Sequence, residues 1–133
     1  MQLTSNLYSD IPFFLTKNSF TNDINVKKDL NCIKQSIKNI ILTRFGEKPF
    51  DYRFGSLIYS LLFETIDNND MRMTQYKVQM QSVINTYEPR VVVTDVNYSI
   101  STVDTNYLDI EIVYAVQNPR TVQTLVISVE RTR

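Results

Sequence analysis

Glu88 and Arg90 flank Pro89 in the stretch Tyr87-Glu88-Pro89-Arg90, and they offer the chain's clearest juxtaposition of opposite charges. Pro89 has no backbone N–H and holds Glu88 extended, so a helix arriving from Met73 stops near Tyr87. Two charges therefore sit beside one rigid joint. Arg90 can fork onto a carboxylate or onto the exposed carbonyls of a helix end. Glu88 can hold Arg90 in place or pair with the cations Arg44, Lys48 or Arg53. The plainer reading is a helix terminus whose charges are solvated, or which brace helix to sheet.

Other reactive side chains are few. The chain of 133 residues has no histidine and one cysteine, Cys32. Without His, the Ser-His-Asp and Cys-His machines and the usual zinc ligand sets are missing. No catalytic residue, metal or cofactor is expected. Cys32 cannot form an internal disulfide, which suits a reducing compartment, and it reads as a small filler in a helix. Lys plus Arg is 14 and Asp plus Glu is 14, so the net charge is zero. That balance lacks the basic field of a nucleic-acid binder. It also gives a free monomer little charge for solubility, which favours life inside an assembly. No apolar run approaches the length of a membrane span, and no basic segment followed by an apolar core opens the chain. Neither a membrane partner nor a signal peptide is expected.

The charges and aromatics of Thr43-Arg44-Phe45-Gly46-Glu47-Lys48-Pro49-Phe50-Asp51-Tyr52-Arg53-Phe54-Gly55 need a loop. Gly46 and Gly55 bracket it and are the chain's only glycines. They belong where φ is positive or backbones approach closely. Phe45, Phe50, Tyr52 and Phe54 load the loop with apolar surface, which must fold onto the core or press on a partner. The stretch lacks the spacing and the Lys-Ser/Thr ending of a phosphate cradle.

The elements that hold these residues follow from periodicity. Residues 1–25 form an N-terminal arm, in which Pro12 makes Ile11-Pro12-Phe13-Phe14-Leu15 an edge strand or extended strap. It covers the core or docks on a neighbour. Residues 26–133 form a single domain. Val26, Leu30, Ile33, Ile37 and Ile40 are spaced as one helix face, capped by Asn25 or Asp23. Ser56 caps a short second helix, residues 64–70 connect, and Met73, Tyr76, Met80, Val83 and Tyr87 mark a third. After Arg90 the period becomes two. Val92, Thr94, Val96, Tyr98 and Ile100 form one strand face, Leu108 to Val116 a second, and Leu125, Ile127 and Val129 a third. Thr102 to Asn106 and Asn118-Pro119-Arg120 are turns. The expected fold class is α+β. Three helices, about 27–43, 56–63 and 70–87, pack on a C-terminal three-stranded antiparallel sheet, about 91–101, 107–117 and 122–131.

Four motifs in order carry a resemblance. Leu42 to Phe50 as written above, Phe54-Gly55-Ser56, Leu62-Phe63-Glu64 and Tyr87-Glu88-Pro89-Arg90-Val91 together resemble the GPW/gene-25-like baseplate wedge family of contractile tails. The family includes the small wedge subunit of T-even-type phages and the TssE subunit of type VI secretion baseplates. The likeness runs from about Leu7 to the last strand. Lys48 stands where the family usually has Arg, and lysine cannot make the same planar bidentate contact. Tyr52 stands where a Pro is usual.

The resemblance implies structural work in the tail baseplate of a virion assembled in the host cytoplasm. Its members join the helical core bundle of the wedge and offer a platform where the first ring of tail sheath forms. Partner contacts are accordingly assigned to Glu88, Pro89, Arg90, Arg44, Gly46, Glu47, Lys48, Phe54 and Gly55. The chain is expected to be a monomer alone and repeated by assembly symmetry. A three-stranded sheet has two edges and few ways to hide them, so strand addition by a neighbour suits it. On this reading Arg90→Ala weakens wedge incorporation by on the order of 2–5 kcal/mol. The isolated domain loses about 1 kcal/mol or less. The family has also carried a lysozyme label, so the alternative is a peptidoglycan-degrading tail enzyme using Glu47 with Asp51, or Glu64 with Glu88. A stand-alone binding module is a third reading.

Overall fold

The computed structural model describes residues 8–25, 27–63, 71–117 and 120–131. The elements are β1 (Ser9–Asp10), β2 (Lys27–Lys28), α1 (Leu30–Leu42), α2 (Ile58–Leu61), α3 (Met71–Tyr87), β3 (Val91–Ile100), β4 (Tyr107–Val116) and β5 (Thr121–Glu130). The three helices pack on an antiparallel sheet of order β3-β4-β5, which is the expected α+β arrangement. Leu7, Val26, the connector 64–70 with its Glu64, and the Asn118-Pro119 part of the second turn lie outside the described residues.

β4 is the spine of the core. Its alternate residues Leu108, Ile110, Ile112, Tyr114 and Val116 are all buried, as their period of two requires. They join one cluster with Ile33, Ile37, Ile40 and Ile41 of α1 and with Met73, Met80 and Ile84 of α3. Ile84, which the expected α3 stripe omits, is fully buried, while Tyr76, Val83 and Tyr87 are only partly so.

β3 departs from simple alternation. Its buried residues are Val91, Val93, Val96 and Tyr98, whereas Val92 and Ile100 are exposed. A bulge between Val93 and Asp95 shifts the register against β4. One extra residue swaps the inward face from odd to even positions, so a single face from Val92 to Ile100 is not formed.

Tyr114 fills the centre with 0% exposure, and its hydroxyl has no hydrogen-bond partner among the described residues. Burial also raises its pKa. Leaving a hydroxyl unpaired in an apolar site costs about 1–3 kcal/mol. Tyr114→Phe keeps the ring and removes that cost, so it should raise stability by about 1 kcal/mol in urea unfolding. A loss of similar size would mean that the hydroxyl is satisfied in solution.

The arm meets α1 differently from the expectation. Lys27 and Lys28 do not begin the helix. They pair with Asp10 and Ser9 as a short antiparallel ribbon, and α1 starts at Leu30. Neither Asn25 nor Asp23 caps it. Asp29, at φ 51°, turns the chain, and its carbonyl accepts from the N–H groups of Cys32 and Ile33. The strap is held rather than paired. Gln35 of α1 donates from Nε2 to the Ile11 carbonyl at 2.8 Å, and its Oε1 accepts from the Phe13 N–H at 3.2 Å. Pro12 is buried, while Phe13, Phe14 and Leu15 face outward.

Candidate functional site

The loop between α1 and α2 is closed by backbone contacts at its neck. The Ser56 N–H donates to the Thr43 carbonyl at 2.9 Å, and the Ser56 hydroxyl donates to the Ile41 carbonyl at 2.6 Å. Gly55 lies in this neck at φ 118°, where a Cβ would stand 2.6 Å from the Thr43 carbonyl oxygen and 2.8 Å from that of Arg44. Gly46, at φ 79°, turns the loop so that its N–H reaches the Tyr52 carbonyl at 3.2 Å. Both glycines thus stand where sequence reasoning put them.

The loop's charges hold its shape. Glu47 accepts from the Arg44 N–H at 2.8 Å. The Arg44 guanidinium lies 4.0 Å from the centre of the Tyr59 ring, and Lys48 Nζ lies 4.1 Å from the centre of Phe54. Lys48 also meets Asp51 at 3.8 Å, while Asp51 accepts from the Tyr87 hydroxyl at 3.1 Å. Phe54 packs edge-to-face on Tyr87 at 4.9 Å between ring centres, which fastens the loop to the end of α3.

The joint follows directly. α3 ends at Tyr87, as Pro89 dictates. Glu88 is 2% exposed, and both of its oxygens accept from Arg90, through Nε and, at 2.6 Å, Nη2. Arg90 is capped in turn by the Tyr8 ring at 4.9 Å and reaches Cys32 Sγ at 4.0 Å. Burial pushes the Glu88 carboxyl up, but hydrogen bonds from Arg90 and Ser36 outweigh it, and its pKa lies below the ordinary value. The bond to Glu88 raises that of Arg90. Glu88 therefore pairs with its neighbour and with none of the loop cations. The pair ties the end of α3, the start of β3, α1 and the arm together.

The nominated residues divide accordingly. Glu88 and Gly55 are buried and Phe54 is half-buried, so they shape the site, whereas Pro89, Arg44, Gly46, Glu47 and Lys48 are exposed. The same geometry consumes the carboxylates proposed for hydrolysis. Glu47, Asp51 and Glu88 each hold an internal contact.

Phe50 and Tyr52 are residues that the nominated set missed. Phe50 is fully exposed and sits at φ 66°, a left-handed conformation rare for a bulky residue. Such outliers cost on the order of 1–3 kcal/mol and concentrate at functional sites. The aromatic load was visible in the sequence, but which ring would turn outward was not.

The two sheet edges also differ. The outward N–H groups of β3 are occupied near its start: Val91 donates to the Glu88 carbonyl, Val93 to Asn85 Oδ1 and Val96 to Asp95 Oδ1. On β5, Arg131 donates to Asn106 beyond the end of β4, so odd-numbered residues face β4 and even-numbered ones face outward. The outward N–H groups of Val122, Thr124, Val126, Ser128 and Glu130 have no partner among the described residues.

Helices on one face of a small sheet, loop and joint charges spent on internal bracing and an open β5 edge define a class: a small α+β scaffold subunit. Among the described residues no group of three or more His, Cys, Asp or Glu could hold a metal, and no helix is long and apolar enough to cross a membrane. A family model described as baseplate wedge protein gp25 matches residues 27–120. The baseplate wedge protein gp25 of Enterobacteria phage T4 is 32% identical over 120 residues, covering 90% of this chain and 88% of that protein. The chain belongs to the gp25 baseplate wedge family. It is a structural wedge subunit of a phage tail baseplate, a virion component and not an enzyme.

The crystal structure of a putative tail lysozyme from Geobacter sulfurreducens is 25% identical. It superposes with a TM-score of 0.64 over 76% of this chain and 89% of that one. A chain in the cryo-EM structure of the anti-feeding prophage baseplate has a TM-score of 0.62 over 95% of this chain and 87% of that one. At 14% identity this is a likeness of fold.

Proposed function

We propose that this subunit joins two layers of the tail. The loop 43–55 and the Pro89-Arg90 corner dock on the helical core bundle of the wedge, and the β5 edge accepts a strand from the first ring of sheath. Glu88, Phe54 and Gly55 act in this scheme by positioning Arg90 and the loop. Arg44, Glu47, Lys48 and the outward rings Phe50 and Tyr52 make the contact. The observation that carries the reading is the inequality of the edges, since the outward N–H groups in the first half of β3 are taken by Glu88, Asn85 and Asp95, whereas among the described residues those of β5 are open along its length. An unpaired edge of that length is a template for a partner strand.

Val126→Pro tests it. The Val126 N–H points away from β4, so proline there removes an outward donor and no ladder bond. Wedges carrying it should assemble, and sheath should fail to polymerise on the resulting baseplates in electron micrographs. Sheath of normal length on such baseplates would rule out β5 as the template.

A further inference from the structure

We infer that the strand accepted by β5 is apolar on its helix-facing side and carries a carboxylate among those side chains. This rests on the strand-addition reading and specifies its partner. A groove of about 460 Å³ runs beside β5, between the arm and α1. Phe13 and Phe14 of the arm, Lys34, Lys38 and Leu42 of α1, and Leu125 of β5 line it.

The groove is preformed. Gln35 clamps the arm at Ile11 and Phe13, and Phe13 and Phe14 stack edge-to-face at 5.2 Å. Two large rings are thus held outward on an anchored backbone, in continuity with the open edge.

Leu125 belongs to the β5 residues that project to the helix side, where Ile127 is buried and Val129 half-buried. A strand added beyond β5 continues the pleat, so its alternate side chains enter this groove beside Leu125. Rings and leucines there ask for apolar groups. Lys34 and Lys38 ask for something else. They lie one turn apart on α1, and neither has an ion-pair partner within 4.0 Å among the described residues. Covering them with a purely apolar strand would desolvate two cations without compensation. A carboxylate at a helix-facing position supplies the missing charge and fixes register.

The probes are two peptides of roughly nine residues, a common strand length. Both alternate Val and Thr, and the central Val is replaced by Glu in one and by Lys in the other. Binding is read by NMR titration against the full chain, Val126→Pro and the double variant Lys34→Glu/Lys38→Glu. The Glu peptide should bind wild type about tenfold tighter than the Lys peptide at roughly 50 mM salt, with the ratio shrinking toward unity near 0.5 M. The preference should reverse in the double variant, and Val126→Pro should bind neither peptide.

Equal binding of both peptides to wild type, with Val126→Pro still blocking both, would overturn this inference alone. Binding that survives Val126→Pro, or no binding of either peptide to wild type at about 1 mM, a free energy of only about −4 kcal/mol, would overturn the strand-addition reading with it. A concentration-dependent dimer dissolved by Val126→Pro would make a second copy the occupant and overturn the assignment to a carboxylate-bearing partner.

Discussion

Arg90→Ala should destabilise the isolated chain by about 3–5 kcal/mol in urea unfolding at neutral pH, because it leaves a buried carboxylate without its cation. That is well above the 1 kcal/mol or less expected of a surface charge. The difference comes from burial: the Glu88 side chain is 3% exposed and that of Arg90 29%. Arg90→Lys should recover part of the loss, since a lysine restores charge but cannot reproduce the two-pronged contact. Co-expression pulldown with wedge partners, scored per folded molecule, separates the docking role of Arg90 from its bracing role. A destabilised variant that binds partners undiminished per folded molecule would assign the pair to bracing alone.

The same pair sets a pH dependence. The folded pKa of Glu88 lies below its ordinary value, through the Arg90 and Ser36 hydrogen bonds working against burial. Its stabilisation is therefore complete above the unfolded carboxylate pKa of about 4.3 and fades as pH falls through the lowered folded value. The stability gap between wild type and Glu88→Gln should be widest near neutrality and close in acid. A gap that widened in acid would contradict the pairing.

Gly55→Ala should be at least as damaging, costing about 3–5 kcal/mol or preventing folding. Two penalties combine. The backbone at φ 118° is outside what alanine adopts readily, and the new Cβ would meet two carbonyl oxygens closer than 3.0 Å. Those carbonyls cannot swing away, because the Thr43 oxygen accepts the Ser56 N–H that closes the neck. Gly46→Ala is the control. Its φ of 79° is also left-handed, but the nearest atom to a new Cβ is Tyr52 Cδ1 at 3.9 Å. It should cost about 1–2 kcal/mol, the conformational term alone. Thermal melts of the two variants should therefore differ clearly, and equal melting temperatures would mean that the neck rearranges.

The legible parts of the fold were those fixed by local chemistry. Pro89 set the end of α3, the alternation from Leu108 to Val116 set β4, and two isolated glycines marked the turn and the neck of the loop. The misread parts were decided by partners distant in sequence. Lys27 and Lys28 continue a helical pattern, yet the arm pairs with them across about twenty residues and delays α1. The β3 bulge depends on how β4 registers against it, which no pattern within β3 reveals. In the candidate site, the charge pair Glu88-Arg90 was visible, but its burial was not, because Tyr8 of the arm and Cys32 and Ser36 of α1 cover it from two segments distant in sequence. Likewise the loop's aromatic load was evident while the split between Phe54 inward and Phe50 outward was not.

Residue-resolved hydrogen exchange tests strand addition at β5 most directly. In the free chain the amides of Val122, Thr124, Val126, Ser128 and Glu130 should exchange fast, and those of Gln123, Leu125, Ile127 and Val129, bonded to β4, should exchange slowly. On binding the sheath subunit, the fast set should become protected while the slow set stays so, erasing the alternation along β5. Protection that leaves those five amides fast and appears on β3 or the outer sheet face instead would contradict the account.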